Sequence, residues 1–188
     1  EITYDNQGRS LNKTINVDGN TRFNGYVGGM VPFFKQKIRV LPFGNVYMNK
    51  TNSVINGSSN ETVNQGASGR VEIKYVLDSL EFFIGGNYNY GLGTSTLNKA
   101  SQNNNFYGLK SGFEAKLGHK IEIESEIEYT VNTQRADGFN LSYAIWDASI
   151  SKMFLGKENL IISLEAKDIL NQNISNSRNI FDNVIVDN

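Results

Sequence analysis

The chain has 188 residues with 18 basic and 19 acidic side chains, a formal net charge of -1, and no Lys/Arg cluster that could neutralise a phosphate backbone, so nucleic acid is not an expected partner. There is no cysteine and a single histidine, which leaves disulfides, thiolate or zinc centres and Ser/His or Cys/His triads without their parts. Two prolines, many Asn, Gly, Ser and Thr residues and no apolar run near the roughly 18 residues of a membrane helix predict an almost all-β chain.

In chain order, the first predicted strands cover residues 21–34 and 38–49, both glycine-rich, with Glu1 to Tyr4 as the tail of an earlier one. A shorter strand is predicted over residues 70–77. Leu80, Phe82, Ile84, Gly86, Tyr88, Tyr90 and Leu92 then alternate with Glu81, Phe83, Gly85, Asn87, Asn89 and Gly91. Tyr107, Leu109, Ser111, Phe113, Ala115 and Leu117 alternate with Gly108, Lys110, Gly112, Glu114 and Lys116. The clearest alternation sets Ile121, Ile123, Ser125, Ile127, Tyr129 and Val131 against Glu122, Glu124, Glu126, Glu128 and Thr130. Residues 141–154 place Ala144, Trp146, Ala148, Ile150 and Phe154 on the apolar side, with Lys152 breaking the phase near one end, where a long side chain can snorkel. A last, noisier strand covers residues 160–167. A side-chain period of two is the signature of a strand with two different faces.

The connections come in two kinds that alternate. Tight turns are predicted near residues 35–37, 78–79, 118–120 and 156–158, and long polar loops at 51–64, 93–105, 133–140 and from 171 onward. Turns recurring about every 40 residues, strands of about 11 to 14 residues and short turns at one end only describe an up-and-down meander long enough to cross a bilayer at a tilt. Tyr47, Tyr88, Tyr90, Tyr107, Tyr129 and Tyr143 fall toward the long-loop ends, and Phe33, Phe34, Phe82, Phe83 and Phe154 near the tight turns, as two aromatic girdles would. A soluble sandwich has strands about half as long. Trp146-Asp147 spells the propeller dipeptide once, without four short strands per repeat.

Glutamates 122, 124, 126 and 128 extend along one strand and do not converge, which favours a solvated lumen wall over a cation site. His119 lies in a tight turn, and carboxylate pairs for glycoside hydrolysis could be nominated anywhere on an acidic wall. Asn-x-Ser/Thr triplets at Asn12, Asn49, Asn56, Asn60, Asn140 and Asn173 are expected by chance in so Asn-rich a chain. The expectation is therefore a protein that is no enzyme, with no catalytic residues, no cofactor and no metal.

Leu141-Ser-Tyr-Ala-Ile-Trp-Asp-Ala-Ser-Ile-Ser-Lys-Met-Phe, then Lys157-Glu-Asn-Leu, Asp168-Ile-Leu-Asn-Gln-Asn, Ser177-Arg and Val184-Ile-Val-Asp resemble in order the terminal part of the outer-membrane β-barrel proteins of Bacteroidota that are grouped with TonB-dependent receptors. Upstream, Ile15-Asn-Val-Asp-Gly-Asn resembles the loop that enters a strand in that family. The resemblance implies that residues 1–188 are part of a single antiparallel transmembrane barrel, about eight to nine strands of roughly 14 to 22. In this reading the N-terminal strands, plug, coupling box and final C-terminal strand lie outside residues 1–188. It further implies a place in the bacterial outer membrane and TonB-linked uptake of a metal chelate, glycan or peptide, with loops 51–64 and 93–105 facing outward to capture it. The alternative is a structural or accessory barrel subunit of an envelope complex without transport. The expected partners are outer-membrane lipid, the barrel-assembly machinery during biogenesis and other envelope proteins.

Overall fold

A computed structural model describes residues 1–4, 9–97, 102–133, 140–154, 160–173, 178–181 and 184–187. The strands are β1 (Ile2–Tyr4), β2 (Ser10–Asn12), β3 (Thr21–Gly28), β4 (Val31–Phe33), β5 (Ile38–Ile55), β6 (Ser58–Val76) and β7 (Leu80–Ser95). They continue with β8 (Gln102–Leu117), β9 (Ile121–Thr133), β10 (Ser142–Phe154), β11 (Leu160–Ala166) and a separate hairpin of β12 (Arg178–Phe181) with β13 (Val184–Asp187). From β5 to β11 each strand pairs antiparallel with the next, and β3 and β4 both pair with the other edge of β5. This is the expected all-β, up-and-down meander. Among the described residues no helix is long and apolar enough to cross a membrane.

The tight turns lie where the sequence places them. Lys37 N–H donates to the Phe34 carbonyl at 3.3 Å, Leu77 N–H to that of Leu80 at 2.8 Å, and Gly118–Lys120 makes a single 3-10 turn with His119 at φ 64. The turn at 156–158 lies outside the described residues, as does most of the 133–140 connection.

Two expectations about strand extent are corrected. The strand expected over residues 21–34 is broken into β3 and β4 at Gly29 and Met30. The cause sits across the ladder: Pro42 accepts from Gly29 N–H at 3.1 Å but has no N–H to return. The second correction is larger. Residues 51–64 are not a loop, because β5 and β6 run 18 and 19 residues and pair all the way to Ile55 and Ser58. Between them Asn56 and Gly57 adopt φ 49 and 76, the two left-handed residues of a type I′ hairpin turn. Residues 93–105 likewise carry the ends of β7 and β8. Crossing needs only about 9 to 11 residues, so β5 and β6 extend about eight residues beyond the bilayer.

Asn60 holds that extension together. It is fully buried, donates to Thr62 Oγ1 at 3.1 Å, and its Oδ1 accepts from Ser95 Oγ at 2.7 Å and from Thr96 Oγ1 and Leu97 N–H, each at 3.2 Å. The polar residues that suggested a loop thus satisfy one another across strands. Ile2 pairs in parallel with Ile55 at the same end, and Tyr4 N–H donates to Asn56 Oδ1 at 2.7 Å.

Register carries the two faces across the sheet. One row of partners reads Val40, Ile73, Ile84, Ser111, Ile127 and Trp146, and its neighbour Pro42, Val71, Gly86, Leu109, Tyr129 and Ala144. These apolar side chains are uncovered: Ile84 is 58% exposed, Leu109 62% and Ile127 44%. Among the described residues the only buried hydrophobic side chain is Ile55. Among the described residues these side chains have no second layer over them, and the partner of such a face in a spanning strand is hydrocarbon. Lys152 stands on this face near the turn end, with its ammonium 5.2 Å from the Phe154 ring.

The aromatic girdles need correction on the same grounds. Tyr88, Tyr107 and Tyr129 face outward with Phe82 and Phe154. Tyr47, Tyr143 and Phe83 stand in the opposite rows, with Phe43, Gly66 and Gly112. Position along a strand sets height in the membrane, but parity sets the face, and these three have the other parity.

Candidate functional site

The inner face is the only one with chemistry. Its rows read Arg39, Lys74, Phe83, Gly112, Glu126, Asp147, then Leu41, Glu72, Gly85, Lys110, Glu128, Ile145, and nearer the tight turns Glu81, Glu114, Glu124, Ser149, Glu165. Pairing across strands converts alternation along each strand into a grid of opposite charges. Lys74 Nζ lies 2.6 Å from Glu81 and 3.8 Å from Glu72, which also holds Lys110 at 2.7 Å. Lys116 bridges Glu114 at 2.8 Å and Glu122 at 3.7 Å. Exposed and partly exposed pairs of this kind add little to stability, so the grid sets the character of the wall more than its stability.

Phe83 lies in this grid because Gly112 makes room. A Cβ on Gly112 would come 2.6 Å from the ring and closer still to the Ser125 carbonyl. The ammonium groups of Lys110 and Lys74 lie 5.2 and 6.0 Å from the ring centre. Beside it opens a trough of about 390 Å3 lined by Glu81, Glu114, Glu124, Glu126, Asp147 and Glu165, against only Lys74 and Lys167.

All four glutamates of the β9 row face this interior, as the alternation predicts. What spacing along one strand could not show is Glu114, set by register opposite Glu124 on β8. The carboxylates of Glu114, Glu122 and Glu124 lie within 4.8 Å of one another, with Lys116 across two of them. The cluster is part of an exposed acidic wall already carrying its own cation. His119 lies apart from it in the 3-10 turn.

Strands long enough to span, a bare apolar face and a wet, charged opposite face define a membrane-spanning β-barrel wall. The comparison with protein families agrees: residues 74–188, more than half of the chain, match the outer membrane protein beta-barrel family. The chain belongs to that family and is a β-barrel protein of the bacterial outer membrane. No curated protein and no solved structure matches it.

Proposed function

We propose that this protein is an outer-membrane receptor or transporter, similar to the TonB-dependent receptors of Bacteroidota, that takes up a small ligand such as a metal chelate, glycan or peptide. Residues 1–188 form one stretch of the wall of a single larger barrel. The observation that carries the reading is the chemistry of the inner face: its rows are mostly charged or polar along the spanning strands, with Lys74 on Glu81 and Lys110 on Glu72 forming a grid of opposite charges. A narrow barrel fills its interior with interdigitated side chains, whereas a wide one leaves a wetted passage. The reading assigns the chain no catalytic step.

The test is uptake by cells that lack the gene and cells complemented with the full-length gene, supplied with labelled chelates, oligosaccharides and peptides. One class should enter only the complemented cells, and collapse of the proton-motive force should stop it. Equal uptake of all classes, with the barrel purifying at fixed stoichiometry with a secretion or assembly machine, would overturn transport in favour of an accessory subunit.

A further inference from the structure

The inner wall is not uniform along its height. Among the described residues the inner rows toward the long-loop end carry no carboxylate, and on β3 and β5 a separate cavity of about 340 Å3 is lined by Arg22, Asn24, Asn45, Tyr47 and Asn49 together with Phe23 and Met48. Arg22 pairs directly opposite Asn49 and Asn24 opposite Tyr47, with Asn45 two residues further along. Directly opposed residues on one face of an antiparallel pair hold their Cβ atoms about 5 Å apart, so these side chains form one patch.

Each group has defined chemistry. The Tyr47 ring lies across the wall over two glycines: a Cβ on Gly66 would come 2.8 Å from it, and one on Gly91 3.3 Å from its hydroxyl. An aromatic platform thus faces the lumen. Asn45 Nδ2 donates to Asn24 Oδ1 at 2.8 Å and to the Gly25 carbonyl at 3.0 Å, which fixes both amides. The Asn24 amide is left as a donor and the Asn45 oxygen as an acceptor. Arg22 differs from the lysines below it, since Lys74, Lys110 and Lys116 each sit on a carboxylate, while among the described residues no carboxylate pairs with Arg22.

We infer that this patch is a subsite for an acidic saccharide, one or two sugar rings bearing a carboxylate or sulfate. A pyranose presents an apolar C–H face for the Tyr47 ring and hydroxyls that both donate and accept, as the carboxamides require. Its anionic group meets the fork of Arg22. Arg22 on β3 and the ring lying toward β6 are two strand spacings apart, about 10 Å, a span that one or two sugar rings bridge. A cationic ligand would find no counter-charge here among the described residues. The inference rests on the proposed uptake reading, to which it adds the ligand class.

The test is titration calorimetry on the full-length detergent-solubilised protein, with trigalacturonate and its fully methyl-esterified form as probes. Trigalacturonate should bind at least about tenfold more tightly than the ester. Arg22→Gln should remove that preference, Tyr47→Leu should weaken both probes, and His119→Asn in the remote 3-10 turn should change neither. Heat-dependent gel mobility identifies the folded barrel in each variant, and the acid-against-ester comparison needs no variant. Equal binding of the two probes, no binding of either, or an Arg22→Gln variant that keeps the preference would overturn the subsite. The two readings fail separately. Uptake of a different ligand class without trigalacturonate binding sinks only the subsite, whereas Arg22-dependent binding without uptake in the complemented cells sinks only transport.

Discussion

The carboxylate of Asp147 on β10 accepts the backbone N–H of Asp168 at 2.7 Å, just beyond the point where β11 stops pairing. β11 covers only Ala148 to Phe154 of its 13-residue neighbour. Above that level the turn following β11 takes its place. Ile169 N–H donates to the Trp146 carbonyl at 2.8 Å, and the Gln172 side chain accepts from Ala144 N–H at 3.0 Å. Asp168 itself, at φ 50, accepts from the N–H groups of Gln172 and Asn173 at 2.9 and 3.0 Å. The segment Asp168-Ile-Leu-Asn-Gln-Asn is therefore a cap for the open edge of β10, a place where unpaired backbone groups would invite wrong pairing.

Asp168→Ala should lose both acceptors at once. The expected cost is about 1 to 3 kcal/mol, read as a lower midpoint in heat-dependent gel mobility of the full-length protein. Asp168→Asn, which keeps one acceptor, should fall between the two.

The two faces should respond oppositely to lysine. Ile123→Lys or Ile127→Lys should cost roughly 2 to 4 kcal/mol in folding into lipid vesicles from urea, because each places an ammonium in hydrocarbon. Glu124→Lys should be tolerated, since it enters a wet wall between Glu114 and Glu122 and relieves like charge. Equal penalties on both faces would count against the assignment of outside and inside.

Gly112→Ala should cost about 1 to 3 kcal/mol by overpacking against Phe83. Adding Phe83→Ala should recover only part of the loss in the same refolding measurement. The new methyl also meets the Ser125 carbonyl, and backbone cannot step aside as a ring can. Full recovery would show that the ring is the sole obstacle.

Asn60→Ala should loosen the projecting β5–β6 hairpin without unfolding the membrane-spanning wall. The bonds to Thr62, Ser95, Thr96 and Leu97 are lost together, at a cost of about 1 to 3 kcal/mol confined to the extension. Hydrogen exchange should rise at residues 52–62 and 95–97 and stay unchanged at 121–131.

Strand identity and the outward or inward sense of β7 to β10 were legible in the amino-acid order, because a period of two is a local property, clearest in β9, where Ile121, Ile123 and Ile127 alternate with glutamates whatever lies beside them. The tight turns near 35–37, 78–79 and 118–120 were legible as short breaks between alternating runs. The Asn56-Gly57 hairpin signal also stood in plain view, but its polar surroundings read as loop, since polarity reports exposure to water and does not separate a wet strand from a wet coil. Only the tertiary structure decided what depends on register. It set Glu114 opposite Glu124 and near Glu122, turned Tyr47 and Tyr143 inward, and placed Arg22 beside Asn49 and Asp168 beside Asp147. Neighbours across a ladder are fixed by hydrogen bonds between distant segments, and a shift of one residue would exchange every one of those faces.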